Sequence, residues 1–210
     1  MIGDEAAARA FTAELADGEG MDRLDRLVLL LSDENARQNL VSQSSLTEIW
    51  RRHIADSAQL LRYVPRETSP WLDLGSGAGF PGLVIASLRP EWDVRLIESR
   101  KRRVEWLERV RDELALSGCT VIGKRLEDVE SVPAGVISAR AFAPMVKLLD
   151  LSQRFSTDAT VWLLPKGRSA AHELRQLEPQ TRRMFHVEHS RTDPDSGIIV
   201  GGVTKGRDAT

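Results

Sequence analysis

The order of apolar and polar positions along the chain predicts helices first and then alternating strands and helices. Leu24, Leu27, Val28 and Leu31 keep the i, i+3, i+4, i+7 spacing of one helix face, with charged residues opposite them. From residue 70 onward, short apolar runs alternate with longer amphipathic stretches. This alternation is typical of a parallel sheet whose strands are joined by right-handed helical crossovers, so we expect an α/β protein.

The same patterns predict where the elements begin and end. Helices are expected over residues 6–15, from residue 22, and over 46–61, the last opened by a capping box of Ser45 and Glu48. Strands are expected near residues 70–72, 93–98, 119–123, 135–139 and 159–164, and the intervening helices over 83–88, 100–116 and 145–155. Two further strands, 182–189 and 197–204, should form an antiparallel hairpin. The predicted organisation is a helical extension over residues 1–64 and a domain with a mostly parallel sheet over residues 65–210.

A glycine-rich turn over residues 73–82 joins the first predicted strand to its helix. Because glycine has no side chain, the main chain of such a turn lets a nucleotide-like ligand approach closely. Residues 77–82 fit G-x-G-x-x-G, and Glu98 lies near the offset of about 20 residues at which a dinucleotide site places its ribose-binding acid. The turn therefore predicts a cofactor site.

A second register of the turn favours a different cofactor. The pattern Asp73-x-Gly75-x-Gly77-x-Gly79 resembles the first motif of Rossmann-like S-adenosylmethionine methyltransferases. An anion beside the turn would repel a pyrophosphate and attract the ammonium or sulfonium of S-adenosylmethionine. Asp73 therefore favours S-adenosylmethionine over a nicotinamide dinucleotide.

Further candidate ligands follow the other strands, because open parallel sheets bind ligands at the carboxyl ends of their strands. Glu98 can accept hydrogen bonds from both ribose hydroxyls, or it can cap the following helix. Leu126 can pack on an adenine face while the adjoining main chain meets the adenine edge, and the role of Glu127 is ambiguous. Arg140, which small residues follow, offers fixed donors for a carboxylate, a phosphate or a base edge.

Several cations are candidates for contact with RNA. The basic run over residues 100–103 opens a helix, where cations are unfavourable unless an anion or nearby acids offset them. An RNA backbone and the neighbouring glutamates remain equal alternatives. Residues 166–168 are expected to form a mobile cationic turn suited to phosphate, or a solvated surface. The candidate RNA-binding residues are Arg52, Lys101, Arg102, Lys166 and Arg168.

Composition limits the classes of function. The net charge of −2 and the pI near 6.1 mean that any RNA site must be local. The single Cys119 excludes an intrachain disulfide, and four scattered histidines argue against a structural zinc, so we expect no metal. The first residues do not resemble a signal peptide, and no apolar run reaches about 18 residues. We expect a soluble, cytoplasmic monomer.

Together, these motifs resemble the RsmG (GidB) family, bacterial methyltransferases that modify position 7 of a guanine in the decoding-region loop of 16S ribosomal RNA. The resemblance covers roughly residues 39–167. Beside the 73–82 turn, the segments that carry it are Asn39-Leu40-Val41-Ser42, Arg52-His53-Ile54-x-Asp56-Ser57, Leu96-Ile97-Glu98-Ser99, Ser138-Ala139-Arg140-Ala141-Phe142-Ala143 and Pro165-Lys166-Gly167.

The resemblance implies a fold, a substrate and a set of site residues. The fold is a Rossmann-like class I methyltransferase sheet of six to seven strands, and the substrate is the assembled small-subunit RNA or particle. His53 would lie beside the pocket, and it shares a helix face with Asp56, with which it can hydrogen-bond or form a polar pocket edge. With the residues argued above, the expected cofactor-binding set is Asp73, Gly75, Gly77, Gly79, Phe80, Glu98, Leu126, Glu127 and Arg140.

The expected chemistry needs no general base. Guanine N7 has a free in-plane lone pair and no proton, so catalysis would consist mainly of positioning, for which His53 and Arg140 are the candidates. Two other functions remain open. One is a nicotinamide-dependent reductase that uses the G-x-G-x-x-G register, and the other is a non-catalytic RNA-binding module that keeps the fold.

Overall fold

Within residues 1–65 and 68–202, which the structure, a computed structural model, describes, the chain forms a seven-stranded sheet with helices on both faces. The strands are β1 (Trp71–Leu74), β2 (Val94–Ile97), β3 (Cys119–Ile122), β4 (Val136–Ser138), β5 (Val161–Gly167), β6 (Phe185–His189) and β7 (Gly197–Gly201). Their order is β3-β2-β1-β4-β5-β7-β6. Strands β1 to β5 are parallel, and β7 is antiparallel to both β5 and β6. The predicted α/β class, with its mostly parallel sheet and antiparallel hairpin, is confirmed.

The helices follow the same alternation. They are α1 (Glu5–Ala13), α2 (Gly20–Asn35), α3 (Gln43–Leu46), α4 (Asp56–Ala58), α5 (Gly82–Leu88), α6 (Lys101–Glu113), α7 (Met145–Ser152), α8 (Ala170–Arg175) and α9 (Pro179–Arg182). A π-helical segment covers Trp50–Ala55, and short 3-10 turns cover Gln59–Tyr63, Leu126–Asp128 and Gln153–Phe155. No helix of the described residues is long and apolar enough to cross a membrane.

Two apolar layers cover the two faces of the sheet, because successive strand residues point to opposite sides. Trp71 of β1 belongs to the layer that contains α1, α2, α5 and α6. Its neighbour Leu72 belongs to the opposite layer, which α7 and α8 cover. The N-terminal helices therefore share a core with one face of the sheet.

The predicted helix over residues 46–61 is confirmed in part: residues 50–61 are helical in consecutive π, α and 3-10 segments, but a turn at residues 47–48 separates them from α3. The predicted capping box is wrong. Ser42, not Ser45, caps α3, and its Oγ accepts a hydrogen bond from the Ser45 main-chain N at 3.2 Å. The π-helical segment begins anew at Trp50, where the carboxylate of Glu5 in α1 accepts from the main-chain N atoms of residues 50 and 51 at 2.9 and 2.8 Å. The carboxylate of Glu5, which is distant in sequence, therefore caps a new helical segment at Trp50 and separates it from α3.

Strand boundaries at the carboxyl half also differ from the prediction. β5 continues to Gly167, because its last residues pair with β7 across a register shift at Pro165/Gly167. β6 begins only at Phe185, after the short helix α9. β7 ends at Gly201, and residues 203–204 of that predicted strand lie outside the described residues.

Candidate active site

Three cavities in the described part of the chain meet at residues 140–142, directly after β4. Ala141 lines all three, and its φ of 52° lies in the left-handed region that residues with a side chain rarely adopt. Such strain is typical of functional sites.

Each cavity is defined by its walls. The turn cavity, of about 380 Å³, is lined by Gly75, Glu98, Arg103, Leu126 and Phe142 among others. The histidine cavity, of about 370 Å³, is lined by Ser45, His53, Asp56, Arg140 and Asp193 among others. The β5 cavity, of about 660 Å³, is lined by Phe142, Pro144, Pro165, Lys166 and Glu173 among others.

Asp73, at the end of β1, is fully buried and holds the glycine-rich turn from below. Its Oδ2 accepts from the Gly82 main-chain N at 3.2 Å, and its Oδ1 accepts from Ser138 Oγ of β4 at 2.8 Å. Burial raises the pKa of Asp73 to about 6, although these hydrogen bonds oppose the rise. The carboxylate thus lies under the turn rather than in the cavity wall, which corrects the expectation that it faces the cofactor.

The first three glycines of the turn are required for different reasons, either close packing or backbone conformation. All have positive φ, of 67° at Gly75, 59° at Gly77 and 104° at Gly79. A side chain at Gly75 would overlap the ring of Phe142, and one at Gly79 would overlap Leu83 of α5. At Gly77 the nearest atom is Arg103 Nη1, 2.8 Å from the added carbon, and it belongs to a flexible side chain. Packing therefore requires Gly79, whereas backbone conformation requires Gly77.

Glu98 both lines the turn cavity and organises the chain around it. Its Oε2 accepts from the Gly77 main-chain N at 3.1 Å, and its Oε1 accepts from the main-chain N atoms of Ser99 and Arg100 at 2.8 and 2.9 Å. The side chain thus holds the two residues that lead into α6. A carboxylate has about four lone-pair directions, so these three contacts leave one for a further donor.

The two residues after β3 lie in different surroundings. Leu126 is buried and lines the turn cavity. The carboxylate of Glu127 is exposed, lies 3.4 Å from Arg125 and is not part of the cavity wall. Only the main chain of Glu127 is left for a contact with a bound cofactor.

Arg140 and His53 form a stacked pair over Phe80. The His53 and Phe80 rings lie 4.9 Å apart at 13°, and the Arg140 guanidinium lies 5.1 Å from the Phe80 ring centre. Arg140 Nη2 donates to His53 Nδ1 at 3.0 Å, so the ring proton is at Nε2, which faces Ser45 Oγ at 3.0 Å. Burial, together with the positive charge of Arg140, lowers the pKa of His53 to about 3. His53 is therefore neutral at physiological pH.

Asp56 completes this network from its far side. Its Oδ2 lies 3.8 Å from Arg140 Nη1, and its Oδ1 accepts from Thr192 Oγ1 at 2.8 Å. The side chains of His53 and Asp56 make no direct hydrogen bond to each other; both residues line the histidine cavity, as the pocket-edge alternative predicted. The network ties the N-terminal helices to β4 and to the β6–β7 hairpin.

The expected RNA-binding residues separate into exposed and buried ones. Lys101 and Arg168 project into solvent, with 89% and 80% of their side-chain surfaces exposed. Arg52 is half-exposed and lies 3.5 Å from Asp193, and Arg102 donates to the Arg37 carbonyl at 3.1 Å.

The prediction that residues 166–168 form a mobile cationic turn or a solvated surface is wrong for Lys166. Lys166 belongs to β5 and only 5% of its side chain is exposed. Its Nζ lies 3.0 Å from the carboxylate of Glu173 and donates to the Ala143 carbonyl at 2.8 Å. The ammonium is therefore unavailable to an RNA backbone.

Three cavity residues were not singled out from the sequence. Arg103 belongs to the basic run over residues 100–103, and Phe142 belongs to the segment after the fourth predicted strand, but neither was proposed as a site residue. Glu173 lies on α8, a helix that the sequence pattern did not predict.

Among the described residues, no group of three or more histidine, cysteine, aspartate or glutamate side chains is arranged to hold a metal ion.

The sheet order, the hairpin and the glycine-rich turn after β1 define the class I methyltransferase fold. A SAM dependent methyltransferase from Aquifex aeolicus has this fold, with a TM-score of 0.55 at 14% identity over 79% of this chain and 95% of that chain. Aeropyrum pernix fibrillarin, solved with natively bound S-adenosyl-L-methionine, matches with a TM-score of 0.54 at 15% identity over 72% of this chain and 75% of its own.

Sequence comparison gives the particular family. The chain belongs to the rRNA small subunit methyltransferase G (GidB) family, whose model matches residues 21–192. Ribosomal RNA small subunit methyltransferase G of Erythrobacter litoralis is 60% identical, covering 96% of this chain and 97% of the relative. The Novosphingobium aromaticivorans protein of the same name is 54% identical, with 97% and 90% covered. The predicted resemblance and enzyme class, an rRNA methyltransferase, are confirmed, and the methyltransferase register of the turn is favoured over the nicotinamide register.

Replacing Gly77 by Asp should abolish S-adenosylmethionine binding in calorimetry. The substituted residue would be strained at a φ of 59° and would displace Arg103 from the cavity wall. Gly18→Asp is the matched control, because nothing lies within 4 Å of a side chain added there. Unchanged affinity in a folded Gly77→Asp protein would show that the turn does not form the cofactor site.

His53 should make stability depend on pH. The unfolded histidine takes up a proton near pH 6.5, whereas the folded one does so only near pH 3. The free energy of unfolding should therefore fall as the pH drops from 6.5 towards 3, by up to about 1.4 kcal/mol per pH unit. His53→Gln should remove this contribution in urea titrations between pH 6.5 and about pH 4.5, while His172→Gln, at an exposed position, should keep it. Identical slopes for wild type and His53→Gln would contradict the assignment.

Proposed function

We propose that this protein transfers the methyl group of S-adenosylmethionine to N7 of a guanine in the decoding-region loop of 16S ribosomal RNA. The observation that carries the proposal is the turn cavity, where a glycine backbone, a carboxylate and a buried leucine meet at the carboxyl ends of β1, β2 and the segment after β3. Family membership supports the rRNA substrate. S-adenosylmethionine is the cofactor predicted from the acid-and-glycines register.

The residues of the turn cavity fit an adenosyl group. Gly75 presents main chain without a side chain, and Glu98 keeps a lone-pair direction for a ribose hydroxyl. Leu126 offers an apolar surface to the adenine, and the main chain of Glu127 can meet the adenine edge. When bound, S-adenosylmethionine supplies an electrophilic methyl group on a sulfonium.

No side chain has to remove a proton in this reaction. Guanine N7 is a hydrogen-bond acceptor with a free lone pair. The Nδ1 lone pair of His53 already accepts from Arg140, so His53 is not available as a base. His53 and Arg140 instead fix the wall at which the three cavities meet. Catalysis then consists of alignment, which can contribute about 7–11 kcal/mol when reacting groups are ideally oriented.

The proposal extends to the partner and to the organisation of the chain. We assign residues 1–64 to an extension that closes the histidine cavity, and residues 65–210 to the methyltransferase domain. The assembled small subunit or its RNA is the substrate, and the protein acts as a cytoplasmic monomer. The polar contacts of His53 and Asp56 with Arg140 support a fixed arrangement of extension and domain.

Small ribosomal subunits from cells that lack this protein should accept labelled methyl groups from S-adenosylmethionine at one guanine N7. Arg140→Ala should lower kcat/KM by about 10–100-fold, equivalent to about 1.4–2.8 kcal/mol, because His53 loses its donor and Asp56 loses its ion pair. The control is Arg95→Ala, which removes a cation of β2 that is paired with Asp93. Absence of label with wild-type protein would favour a non-catalytic RNA-binding module, and normal turnover by Arg140→Ala would remove Arg140 from the site.

The exposed cations at the start of α6 should contribute to RNA affinity. Replacing Lys101 and Arg102 by alanine should flatten the slope of log affinity against log salt by about 1–2, because each phosphate contact contributes about 0.7–0.9. Lys147→Ala with Arg182→Ala removes the same charge from α7 and α9 and should leave the slope unchanged. An unchanged slope in the Lys101 and Arg102 variant would assign the basic run to solvated surface.

A further inference from the structure

The β5 cavity combines apolar walls with one buried ion pair. Phe142, Pro144 and Pro165 form its apolar part. At its other side lie Lys166 and Glu173, whose side chains are only 5% and 17% exposed. Phe142 and Ala141 also line the turn cavity, so the two cavities adjoin at these residues.

The ion pair is almost fully hydrogen-bonded. Burial raises the pKa of Glu173, but hydrogen bonds from Lys166 and Ser169 outweigh it and lower the pKa overall. Glu173 accepts from Lys166 Nζ at 3.0 Å, from Ser169 Oγ at 2.8 Å and from the Met145 main-chain N at 3.1 Å. Lys166 donates also to the Ala143 carbonyl.

One hydrogen-bond donor of Lys166 and one acceptor lone pair of Glu173 have no partner within the ion pair and its described neighbours. An ammonium has three N–H donors, and Lys166 uses two of them, for Glu173 and for Ala143. A carboxylate has about four lone-pair directions, and Glu173 uses three. One donor on Lys166 Nζ and one acceptor direction on Glu173 Oε1 therefore remain among the residues that line this cavity.

This pair complements guanine. The Watson–Crick edge of guanine presents the O6 acceptor beside the N1–H and N2–H donors, whereas adenine presents the N6 donor beside the N1 acceptor. A guanine would satisfy Lys166 through O6 and Glu173 through N1–H or the N2 amino group. An adenine in the same orientation would oppose donor to donor and acceptor to acceptor.

We propose that the β5 cavity is the subsite for the target guanine, with Phe142 as the stacking surface and the Lys166–Glu173 pair as the group that selects guanine. This inference rests on the proposed function. An unpaired RNA base can enter such a space and stack on an aromatic ring. A base held by its Watson–Crick edge keeps N7, on a different edge, free of the ion pair. The β5 cavity and the turn cavity adjoin at Ala141 and Phe142, so a base held in the β5 cavity lies next to the proposed cofactor site.

The histidine cavity is the competing location for the base. One of its carboxylates, Asp193, already accepts from the Asp195 main-chain N and from Ser196 Oγ, and lies 3.5 Å from Arg52. Among the described residues that line that cavity, the only aromatic ring is His53, and one of its faces already stacks on Phe80. The observations therefore favour the β5 cavity.

The test compares small subunits reconstituted with guanine or with adenine at the target position. Wild-type protein should strongly prefer guanine. Glu173→Gln, which can donate to the adenine N1, should lower the guanine-to-adenine ratio of kcat/KM at least about tenfold while calorimetric S-adenosylmethionine affinity stays unchanged. Asp193→Asn should leave the ratio unchanged.

Each outcome has a distinct meaning. If wild-type protein methylates no guanine N7, the proposed function fails. If it does, but Glu173→Gln keeps the wild-type ratio, or Asp193→Asn lowers the ratio instead, the guanine subsite is overturned. The double variant Lys166→Gln/Glu173→Gln leaves no unpaired buried charge, so it keeps the comparison usable if the single variant does not fold. A tenfold loss of preference in either variant supports the proposal.

Discussion

The buried carboxylate of Asp73 is the interaction on which the rest of the site depends. Placing a charged carboxylate away from water is unfavourable, and this is why burial raises the pKa of Asp73 to about 6. The carboxylate is retained because it joins three elements at once: the end of β1, the first residue of α5 through Gly82, and β4 through Ser138. Ser138 in turn accepts from the Trp71 indole at 2.8 Å. The glycine-rich turn and the end of β4 are thereby fixed relative to each other.

The position of the segment after β4 depends on this interaction, because Asp73 fixes the end of β4 through Ser138. The strand ends at Ser138, so the chain can turn immediately and place Arg140 over the ring of Phe80. Ala141 then adopts a left-handed conformation, which costs about 1–2 kcal/mol for a residue with a side chain. That cost is tolerated because the residues before Ala141 are held by Asp73 and those after it by the packing of Phe142 on Gly75. Three cavities with different chemistry consequently share one short wall.

The parts of this arrangement that were predictable from sequence are those set by local pattern. Apolar runs located β1 to β5, and the turn between residues 189 and 197 located the hairpin. The glycine spacing located the cofactor turn, and the position after a strand located Glu98 and Arg140. In each case, neighbouring residues carry the information.

The parts that failed depend on partners distant in sequence. Glu5 divides the helix predicted over residues 46–61, because it caps a segment 45 residues away. Lys166 is buried because β5 extends along β7, a pairing that residues 165–168 do not encode by themselves. Asp73 lies under the turn because its partner is Ser138. Glu173 lies in a helix without a strong pattern, and only the fold brings it to Lys166.

The hydrogen bonds of the histidine cavity restrict the chemistry that the site can perform. Both ring nitrogens of His53 are committed, one to Arg140 and the other to Ser45, and Asp56 is held by Thr192. These groups fix positions but do not exchange protons with a substrate. An acceptor that carries a proton would need a base, whereas the N7 atom of guanine does not, so a rigid, proton-inert site suits this acceptor. Methyl transfer leaves the purine cationic, and the charged carboxylate of Glu173 beside the proposed guanine subsite would stabilise that charge as it develops.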